Sequence, residues 1–450
     1  MKRVLLLCVT LVFVLTSCVS VQENETEDVV STVTAEDLLQ SMTDQEKCWM
    51  DLTSEQYLED FDILYKELQN NYPYFGVAQR KYNVNIDSQY SLYRKQISAC
   101  KNDYDYYNLI CNFVAELEYT GHIDLWGTRY TSELESLMSF IQEFPENKET
   151  LTLYLNKLEN TVSQKNYQAM ENFYEELQRT VDEQNKHMEN STLDNVDSSK
   201  EEEIENFDNV TTNIIQEREI AYVKVESFDM DYFKQDKEIL LPFYKSVQDY
   251  DHIIIDISNN PGGGMDYFNQ LIVAPLAQKT YCVSTFLLVK GGENNKYFLE
   301  IPEGIKSKKW RPVTQLPSLS NMNQEDLAML DYFMEEKYTV SPNDQQGFHG
   351  HIWLLVSENN YSSSEYAAMF SKQSGFTTLV GERTGGDGIG VDPVYIILPN
   401  SGLVVQYSPI YGVTSDGKSS EEYGTEPDYY RKEGESALDT CLQLIHDGSN

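Results

Sequence analysis

Apolar positions in residues 50–130 recur at the spacing of a helix. Tyr57, Phe61 and Leu64 illustrate the repeat, in which side chains three and four residues apart share one helix face. Pro73 is expected to interrupt the first of these helices, since proline lacks the backbone N–H that a helix interior needs. The pattern predicts a helical N-terminal domain.

Residues 131–216 are helical in pattern but different in character. They are dense in Glu, Lys, Gln and Asn, and their apolar stripe is thin, as at Leu151, Leu155 and Leu158. We interpret them as a helical hairpin or small bundle inserted between other elements. The stretch 190–209 is so acidic and polar that a mobile loop is expected there.

From residue 217 onward the pattern changes to strands alternating with helices. Residues 220–225 alternate between apolar and polar, and 252–257 form a nearly continuous apolar run of the kind found in strands covered on both faces. Residues 352–356 and 376–380 repeat that character, with a helix predicted over 363–373 between them. Such a rhythm indicates an α/β core in residues 217–450.

One further segment of this core predicts a β-hairpin. Residues 394–398 and 403–407 are apolar runs joined by Pro399-Asn400-Ser401-Gly402, which contains the turn residues that a hairpin needs.

The amino terminus indicates export. Lys2 and Arg3 precede an apolar run from Val4 to Leu15, too short to span a bilayer but suited to a signal peptide, residues 1–17. Leu15-Thr16-Ser17-Cys18 resembles a bacterial lipobox, which predicts cleavage before Cys18 and lipidation of its thiol. The alternative is an ordinary cleavage site with a chance cysteine. Residues 18–49 are interpreted as an acidic tether between the lipid and the folded chain.

Net charge and cysteine content exclude several classes of partner. A formal charge of −39 argues against nucleic acid and against an anionic lipid surface, so membrane contact is expected through the lipid anchor only. Beyond Cys8 and Cys18 the cysteines show no CxxC spacing, which argues against a zinc site. Cys100 and Cys111 are the nearest pair for a disulfide, although nothing in the sequence requires one.

A glycine run follows the buried strand at 252–257. In Asn259-Asn260-Pro261-Gly262-Gly263-Gly264 the backbone can approach a ligand closely and present its N–H groups. Those amides could receive a phosphate or the oxyanion of a tetrahedral intermediate. No Lys-Ser/Thr follows, so the run is not a P-loop. A plain tight turn is the alternative.

Ser362 precedes the helix predicted over 363–373. With Glu365 three residues later it matches a capping box, in which it would only cap the helix. A serine on a strand-to-helix turn is also where a nucleophile gains an exposed oxygen and nearby amides. Three histidines are candidates for a catalytic role, although a lone histidine is usually structural: His122, in Thr120-Gly121-His122-Ile123, and His349 and His351, which precede the strand that leads to Ser362.

Together these segments resemble peptidase family S41, the tail-specific or carboxyl-terminal processing proteases and their tricorn-like relatives. The matching motifs are the strand followed by Asn-Pro-Gly-Gly, Ser-x-x-Glu at Ser362–Glu365, Val-Gly-Glu-x-Thr-x-Gly at 380–386 and Gly-x-x-Pro-Asp at 424–428. The helical segment ending in Tyr-Pro near residue 73 also resembles the family. The resemblance does not extend over 131–216.

The resemblance implies a crotonase/ClpP-like αβ superhelix preceded by a helical domain, without metal or organic cofactor. In that fold, residues 283–350 are expected to be a lid or an insertion. The tail-specific branch uses a lysine as base where this chain has Asp387, and the nearby Arg383 cannot deprotonate to replace it. The tricorn-like branch uses a histidine, which corresponds to His122, and a glutamate, which corresponds to Glu421 or, less well, Glu422.

The resemblance thus predicts an exported serine endopeptidase acting on peptides or proteins. Ser362 is the expected nucleophile, His122 the base and Glu421 the group that orients the base. The amides of Gly262 or Gly263 and of Ser363 are the expected oxyanion donors. A catalytically inactive peptide- or protein-binding lipoprotein on the same scaffold, and an esterase with the same triad, are the alternatives.

Overall fold

The computed structural model describes residues 32–143, 148–192, 208–299, 310–343 and 347–448. The expected signal peptide, Cys18 and the start of the tether lie outside the described residues, as does most of the loop expected over 190–209. Within the described ranges, no helix combines the length and the apolar character needed to cross a membrane.

The described helices are short to medium in length, apart from one of 32 residues. They are α1 (Ala35–Ser41), α2 (Ser54–Asn71), α3 (Phe75–Tyr82), α4 (Ile86–Ile97), α5 (Asp103–Ala115), α6 (Tyr130–Glu143), α7 (Lys148–Leu158), α8 (Thr161–Thr192), α9 (Phe233–Ser246), α10 (Met265–Phe268), α11 (Ala274–Leu276), α12 (Glu293–Leu299), α13 (Gln324–Leu327), α14 (Ser363–Ser374), α15 (Ser420–Tyr423) and α16 (Ala437–His446).

The strands form three sheets. They are β1 (Asp124–Leu125), β2 (Val210–Gln216), β3 (Ile220–Val225), β4 (His252–Asp256), β5 (Tyr281–Val289), β6 (Arg311–Pro312), β7 (Tyr332–Val340), β8 (His351–Val356), β9 (Thr378–Gly381), β10 (Val394–Ile397), β11 (Val404–Tyr407), β12 (Ile410–Thr414) and β13 (Tyr429–Tyr430).

The chain divides into two compact units. The first draws its described residues from Met1–Glu203, Gly292–Lys306 and Pro393–Tyr407, and the second draws them from the remainder. The expected division of the chain at residue 217 does not separate the two units. Two later segments of the expected core, Gly292–Lys306 and Pro393–Tyr407, belong to the first unit. Such long-range membership depends on tertiary contacts that a local pattern does not contain.

In the first unit, the predicted N-terminal helices are confirmed. Helix α2 ends at Asn71 and α3 begins at Phe75, on either side of Pro73. The tether expected over 18–49 contains a helix, since Ala35–Ser41 forms α1. This helix begins with a capping box in which the Thr34 side chain accepts from the Asp37 N–H. The side chain of Leu39 in this helix is buried, which gives the helix an apolar anchor.

The predicted helical block is also present in the first unit, as α6, α7 and α8. It is not an independent insertion, because buried hydrogen bonds tie it to the rest of the unit: Tyr167 Oη donates to the Trp126 carbonyl at 3.1 Å, and Ser163 Oγ donates to the Gly402 carbonyl at 2.7 Å. Its expected end at residue 216 is wrong, since β2 occupies Val210–Gln216. The β-branched residues of that segment favour a strand.

The predicted hairpin is confirmed as β10 and β11, which pair antiparallel with Val394 opposite Tyr407. Strand β1 adds to the other edge of β11, with Asp124 opposite Gln406. The first unit thus completes a three-stranded sheet from segments that are about 280 residues apart.

The second unit contains a six-stranded sheet in the order β13-β9-β8-β4-β3-β2. The pairs from β3 to β13 are parallel, and β2 is antiparallel to β3. The strands predicted near 220, 252, 352 and 376 are all confirmed. Ile254, Trp353 and Leu355 are fully buried in a cluster with α16, which explains the continuous apolar runs.

Residues 283–350 are not a separate lid. The described part contributes to β5 and contains β7, and these strands pair over nine positions in a second, antiparallel sheet of the order β12-β5-β7-β6. The alternation of buried and exposed positions along β7 fits a sheet with one solvated face.

The cysteines of the described residues, Cys48, Cys100, Cys111, Cys282 and Cys441, are all free. Cys100 and Cys111 are both buried, and burial raises the pKa of the Cys100 thiol to about 11. Cys100 is therefore a small apolar side chain of the core rather than a reactive thiol.

Candidate active site

Ser362 lies on the turn between β8 and α14 in an unusual backbone conformation. Its φ of 59° and ψ of −124° are costly for a residue with a Cβ. The turn is held from both sides, because Ser362 N–H donates to the Gly386 carbonyl at 3.0 Å and the Ser362 carbonyl accepts from Tyr366 N–H at 2.9 Å. Strain that is held in place in this way is typical of functional positions.

The alternative that Ser362 merely caps the helix is wrong. Ser362 makes no side-chain cap hydrogen bond to α14. Glu365, the other half of the expected capping box, instead accepts hydrogen bonds from the Thr384 and Thr425 hydroxyls. The Ser362 hydroxyl therefore has no structural task at the start of the helix.

The two neighbouring serines differ from Ser362. Ser364 Oγ donates to the Asn260 carbonyl at 2.7 Å and accepts from Tyr361 N–H at 3.0 Å, so it is part of the turn. Ser363 Oγ is buried and has no hydrogen-bond partner among the described residues. Only Ser362 of the three is partly exposed to solvent.

The glycine run lies directly against this turn. A Cβ on Gly262 would be 2.8 Å from the Tyr361 carbonyl oxygen and 3.2 Å from Ser362 Cβ, and one on Gly263 would be 2.2 Å from the Phe228 carbonyl carbon. Both residues have positive φ, 121° and 135°. Only glycine fits there, because the conformation and the close approach both exclude a side chain.

The two glycine amides are not equivalent. Gly262 N–H donates to Asn260 Oδ1 at 2.9 Å, so in this conformation it is occupied. The described residues offer no acceptor to the N–H of Gly263 or to that of Ser363, the first residue of α14. Of the two glycine donors predicted as alternatives, the structure favours Gly263.

Glu365 joins three of the sequence motifs. It is fully buried, and its two carboxyl oxygens accept from Thr425 Oγ1 at 2.6 Å and from Thr384 Oγ1. Thr425 N–H in turn donates to Thr384 Oγ1 at 2.7 Å. Burial is the main reason that the pKa of Glu365 rises to about 8, and the charge of nearby Glu421 adds to it.

Glu421 is the buried member of the two candidate glutamates. It is 2% exposed, whereas Glu422 is partly exposed. Tyr361, the residue before Ser362, donates its hydroxyl to Glu421 Oε2 at 2.7 Å. The side chain is thus linked to the Ser362 turn through one hydrogen bond, which favours Glu421 over Glu422.

The position of the family's lysine contains Asp387, as expected. Its carboxylate is buried and accepts from Ser408 Oγ at 2.9 Å. Arg383 is exposed, and its Nε lies 2.9 Å from Glu426 Oε1. Neither side chain offers an amine that could act as a base.

His351 and His349 are at the wrong end of the sheet to serve Ser362. His351 begins β8, and the six residues of that strand extend roughly 17 Å before the turn that carries Ser362. His252 begins the neighbouring β4 and accepts from Trp353 Nε1 at 3.3 Å. Burial lowers the pKa of His351 and that of His252, as expected for packed histidines.

His122 belongs to the first unit. It ends a short turn, Thr120–His122, with φ of 55°, and its side chain is partly exposed. The second unit therefore brings together Ser362, Ser363, Gly263 and Glu421, and His122 is not part of that unit.

Comparison with family models gives one match. The model of peptidase family S41 matches residues 219–431, which include the glycine run, Ser362, Glu365, Asp387 and Glu421. A comparison with the curated proteins gave no match.

Three solved structures are among those similar to this chain. A candidate peptidase from Parabacteroides merdae is 16% identical, covers 86% of this chain and 96% of its own, and has a TM-score of 0.51. A lipoprotein from Streptococcus agalactiae is 13% identical, with coverages of 88% and 97% and a TM-score of 0.43. Mature CPAF complexed with lactacystin is 12% identical, with coverages of 88% and 97% and a TM-score of 0.49.

The matched residues contain the parallel strands β3, β4, β8, β9 and β13, the glycine turn that follows β4 and the strained Ser362 that follows β8. The glycine turn precedes the serine along the chain, as in the motifs of the family. The predicted α/β fold with a helical N-terminal region is confirmed. Residues 219–431, a little under half of the chain, match the model of peptidase family S41.

Proposed function

We propose that the protein is an exported serine endopeptidase with Ser362 as nucleophile, His122 as general base and Glu421 as the residue that orients the base. The observation that carries the proposal is Ser362 itself: a partly exposed serine at φ 59°, free of the helix cap, next to two amides with no acceptor among the described residues. A serine that only ended a loop would not need this conformation.

The two amides supply electrostatic stabilisation. Gly263 N–H and Ser363 N–H are the proposed oxyanion donors, and the first turn of α14 adds the positive end of its dipole. A donor of this kind contributes about 3 kcal/mol to the stability of a tetrahedral intermediate. Asn260 supports them indirectly, since its side chain holds the Gly262 amide at 2.9 Å.

The proposed reaction proceeds in two steps. Ser362 Oγ forms a bond to the carbonyl carbon of the substrate while His122 takes the hydroxyl proton. The C–N bond then breaks, and the same proton passes to the leaving amine. Water, activated by His122, attacks the acyl ester, and its proton returns to Ser362 as the carboxylate product departs.

Glu421 is proposed to act behind the base, as the acidic residue of a triad does. Its buried carboxylate is held by the Tyr361 hydroxyl at 2.7 Å, which limits the orientations available to it. The absence of lysine at Asp387 supports a histidine base, because the tail-specific arrangement that the family resemblance offered needs an amine there.

Export and lipid attachment are part of the proposal and rest on the sequence alone. Lys2, Arg3 and the apolar run to Leu15 support a signal peptide, and Leu15–Cys18 supports a lipobox. Expressed in a bacterium with a lipoprotein pathway, the wild type should enter the membrane fraction and incorporate labelled fatty acid. Cys18→Ser should abolish both, whereas Cys48→Ser, a change at a cysteine of the folded chain, should alter neither.

The function is tested with an unfolded protein as substrate, compared across matched serine variants. Wild type and Ser363→Ala should cleave it, because Ser363 Oγ is buried and has no hydrogen-bond partner in the described structure. Ser362→Ala should be inactive although it keeps its folded circular dichroism. A folded wild type that cleaves neither protein nor ester would favour the alternative of a binding lipoprotein on this scaffold. If it cleaves only esters, it is an esterase.

A further inference from the structure

The loop that carries His122 is strained over five residues. Glu118, Tyr119, Gly121 and His122 have φ values of 50°, 58°, 60° and 55°. Three of these four are not glycine, and such residues adopt this conformation only where their surroundings impose it. Two groups of residues of the first unit hold the loop in this conformation.

On one side the loop is held by the segment around Pro73. Tyr72 Oη donates to the Thr120 carbonyl at 2.6 Å, and Tyr72 and Tyr74 are fully buried. A Cβ on Gly121 would be 2.3 Å from Tyr74 Cδ2, so the backbone lies flat against the Tyr74 ring. Gly121 is needed for this approach, and the Tyr72 hydrogen bond fixes the peptide group before it.

On the other side the loop is held by β11. Gln406 Nε2 donates to the His122 carbonyl at 3.2 Å, and Gln406 Oε1 accepts from Trp126 Nε1 at 2.7 Å. Because the indole fixes the amide oxygen, the amide nitrogen points at His122 rather than rotating away. Pairing of Asp124 with Gln406 in the sheet keeps the backbone of this residue in register.

We propose that Tyr72 and Gln406 are positioning residues for His122. Their hydrogen bonds fix the peptide groups on either side of Gly121-His122, so that the imidazole projects from a single backbone geometry. The inference rests on the proposed function, in which His122 is the base. A general base must lie within hydrogen-bond reach of the proton it takes, and preorganisation of its backbone supports that geometry.

The experiment compares three single variants in the full chain. Tyr72→Phe removes the donor to Thr120 and keeps the ring. Gln406→Glu still accepts from Trp126 Nε1 but cannot donate to the His122 carbonyl. Tyr130→Phe is the matched control, because it removes a buried tyrosine hydrogen bond of the same length, 2.6 Å to the Leu158 carbonyl, elsewhere in the unit.

The expected result is a loss of kcat without a matching change in KM. Tyr72→Phe and Gln406→Glu should lower kcat roughly 10- to 100-fold, since a misplaced catalytic group costs about that much, while KM changes less than about threefold. Tyr130→Phe should lose about as much thermal stability as the other two variants and should keep the wild-type kcat. A purely structural role for Tyr72 and Gln406 would make all three variants alike.

Two outcomes overturn the inference, and they are distinguishable. An active wild type whose folded Tyr72→Phe and Gln406→Glu variants retain full kcat refutes the positioning role alone. An inactive wild type refutes the proposed function and this inference with it. If Gln406→Glu does not fold, Tyr72→Phe decides the question, because it removes a single oxygen atom.

Discussion

Glu365 provides a quantitative test of how the second unit is held together. The carboxyl group is fully buried between Thr384 and Thr425, and burial raises its pKa from 4.5 to about 8. The folded chain therefore holds a proton on Glu365 at neutral pH that the unfolded chain has released. Proton uptake on folding makes stability depend on pH.

The sign follows from the raised pKa. Because the folded state binds more protons than the unfolded state between pH 4.5 and about 8, the stability from this group is complete below pH 4.5 and is lost as pH rises through 8. With about 1.4 kcal/mol for each pKa unit, the loss across that window is about 3 to 5 kcal/mol.

Glu365→Gln isolates the effect, because glutamine reproduces the neutral acid. Its amide can accept from one threonine hydroxyl and donate to the other, so the two hydrogen bonds survive. Wild type and variant should have similar free energies of unfolding at pH 5, and the variant should be more stable by about 3 to 5 kcal/mol at pH 9.

The assay is urea denaturation of both proteins at pH 5, 7 and 9, followed by tryptophan fluorescence. Subtracting the free energy of unfolding of the wild type from that of the variant cancels the contribution of titrating groups that do not interact with Glu365. If the difference in free energy of unfolding between the two proteins stays constant from pH 5 to 9, the pKa of Glu365 is not raised by folding. Glu365 would then already be ionised in the folded protein at neutral pH.

Three further predictions concern the site itself. Activity should rise through about pH 6–7, the range in which histidine loses its proton, and a rise only near pH 9 would exclude His122 as the base. Gly262→Ala should destabilise the fold by about 1–3 kcal/mol and remove activity, because its Cβ would meet the Tyr361 carbonyl at 2.8 Å; Gly390→Ala, where a Cβ meets nothing within 4 Å, should leave both unchanged. Tyr361→Phe should lower kcat about tenfold, because Glu421 loses the hydrogen bond from the Tyr361 hydroxyl, and a wild-type kcat in a folded variant would show that this hydrogen bond does not support catalysis.

The elements that the sequence predicted well are those whose signal is local. The strands β3, β4, β8 and β9 are apolar, β-branched runs, and α14 ends at Gly375, whose φ of 68° suits a helix terminus. The antiparallel hairpin of β10 and β11 was visible for the same reason, since its turn residues stand between two apolar runs.

The predictions that failed depend on distant partners. The helical block expected to residue 216 wrongly includes β2, whose β-branched residues favour a strand and whose pairing with β3 places it in the sheet. The lid expected over 283–350 is wrong because β5 and β7 pair across segments about 50 residues apart. A local pattern contains neither partner.

The candidate site likewise has features with a local sequence signal and features that depend on distant partners. Ser362, Glu421 and the glycine run were found from motifs, but the choice of Gly263 over Gly262 needed the hydrogen bond to Asn260. Ser362–Glu365 matches a capping box in sequence, and only the backbone of Ser362 and the threonine partners of Glu365 exclude that reading. Tyr361 carried no sequence signal, because a tyrosine before a serine has many ordinary explanations.

The assignment of Ser362 as the nucleophile can be checked by locating the residue that a covalent inhibitor modifies. Folded wild-type protein is treated with a fluorophosphonate, digested and examined by peptide mass spectrometry. We expect one adduct, on Ser362, that is retained in Ser363→Ala and lost in Ser362→Ala and in His122→Ala. An adduct on another residue, or an unmodified Ser362 in the folded wild type, would contradict it.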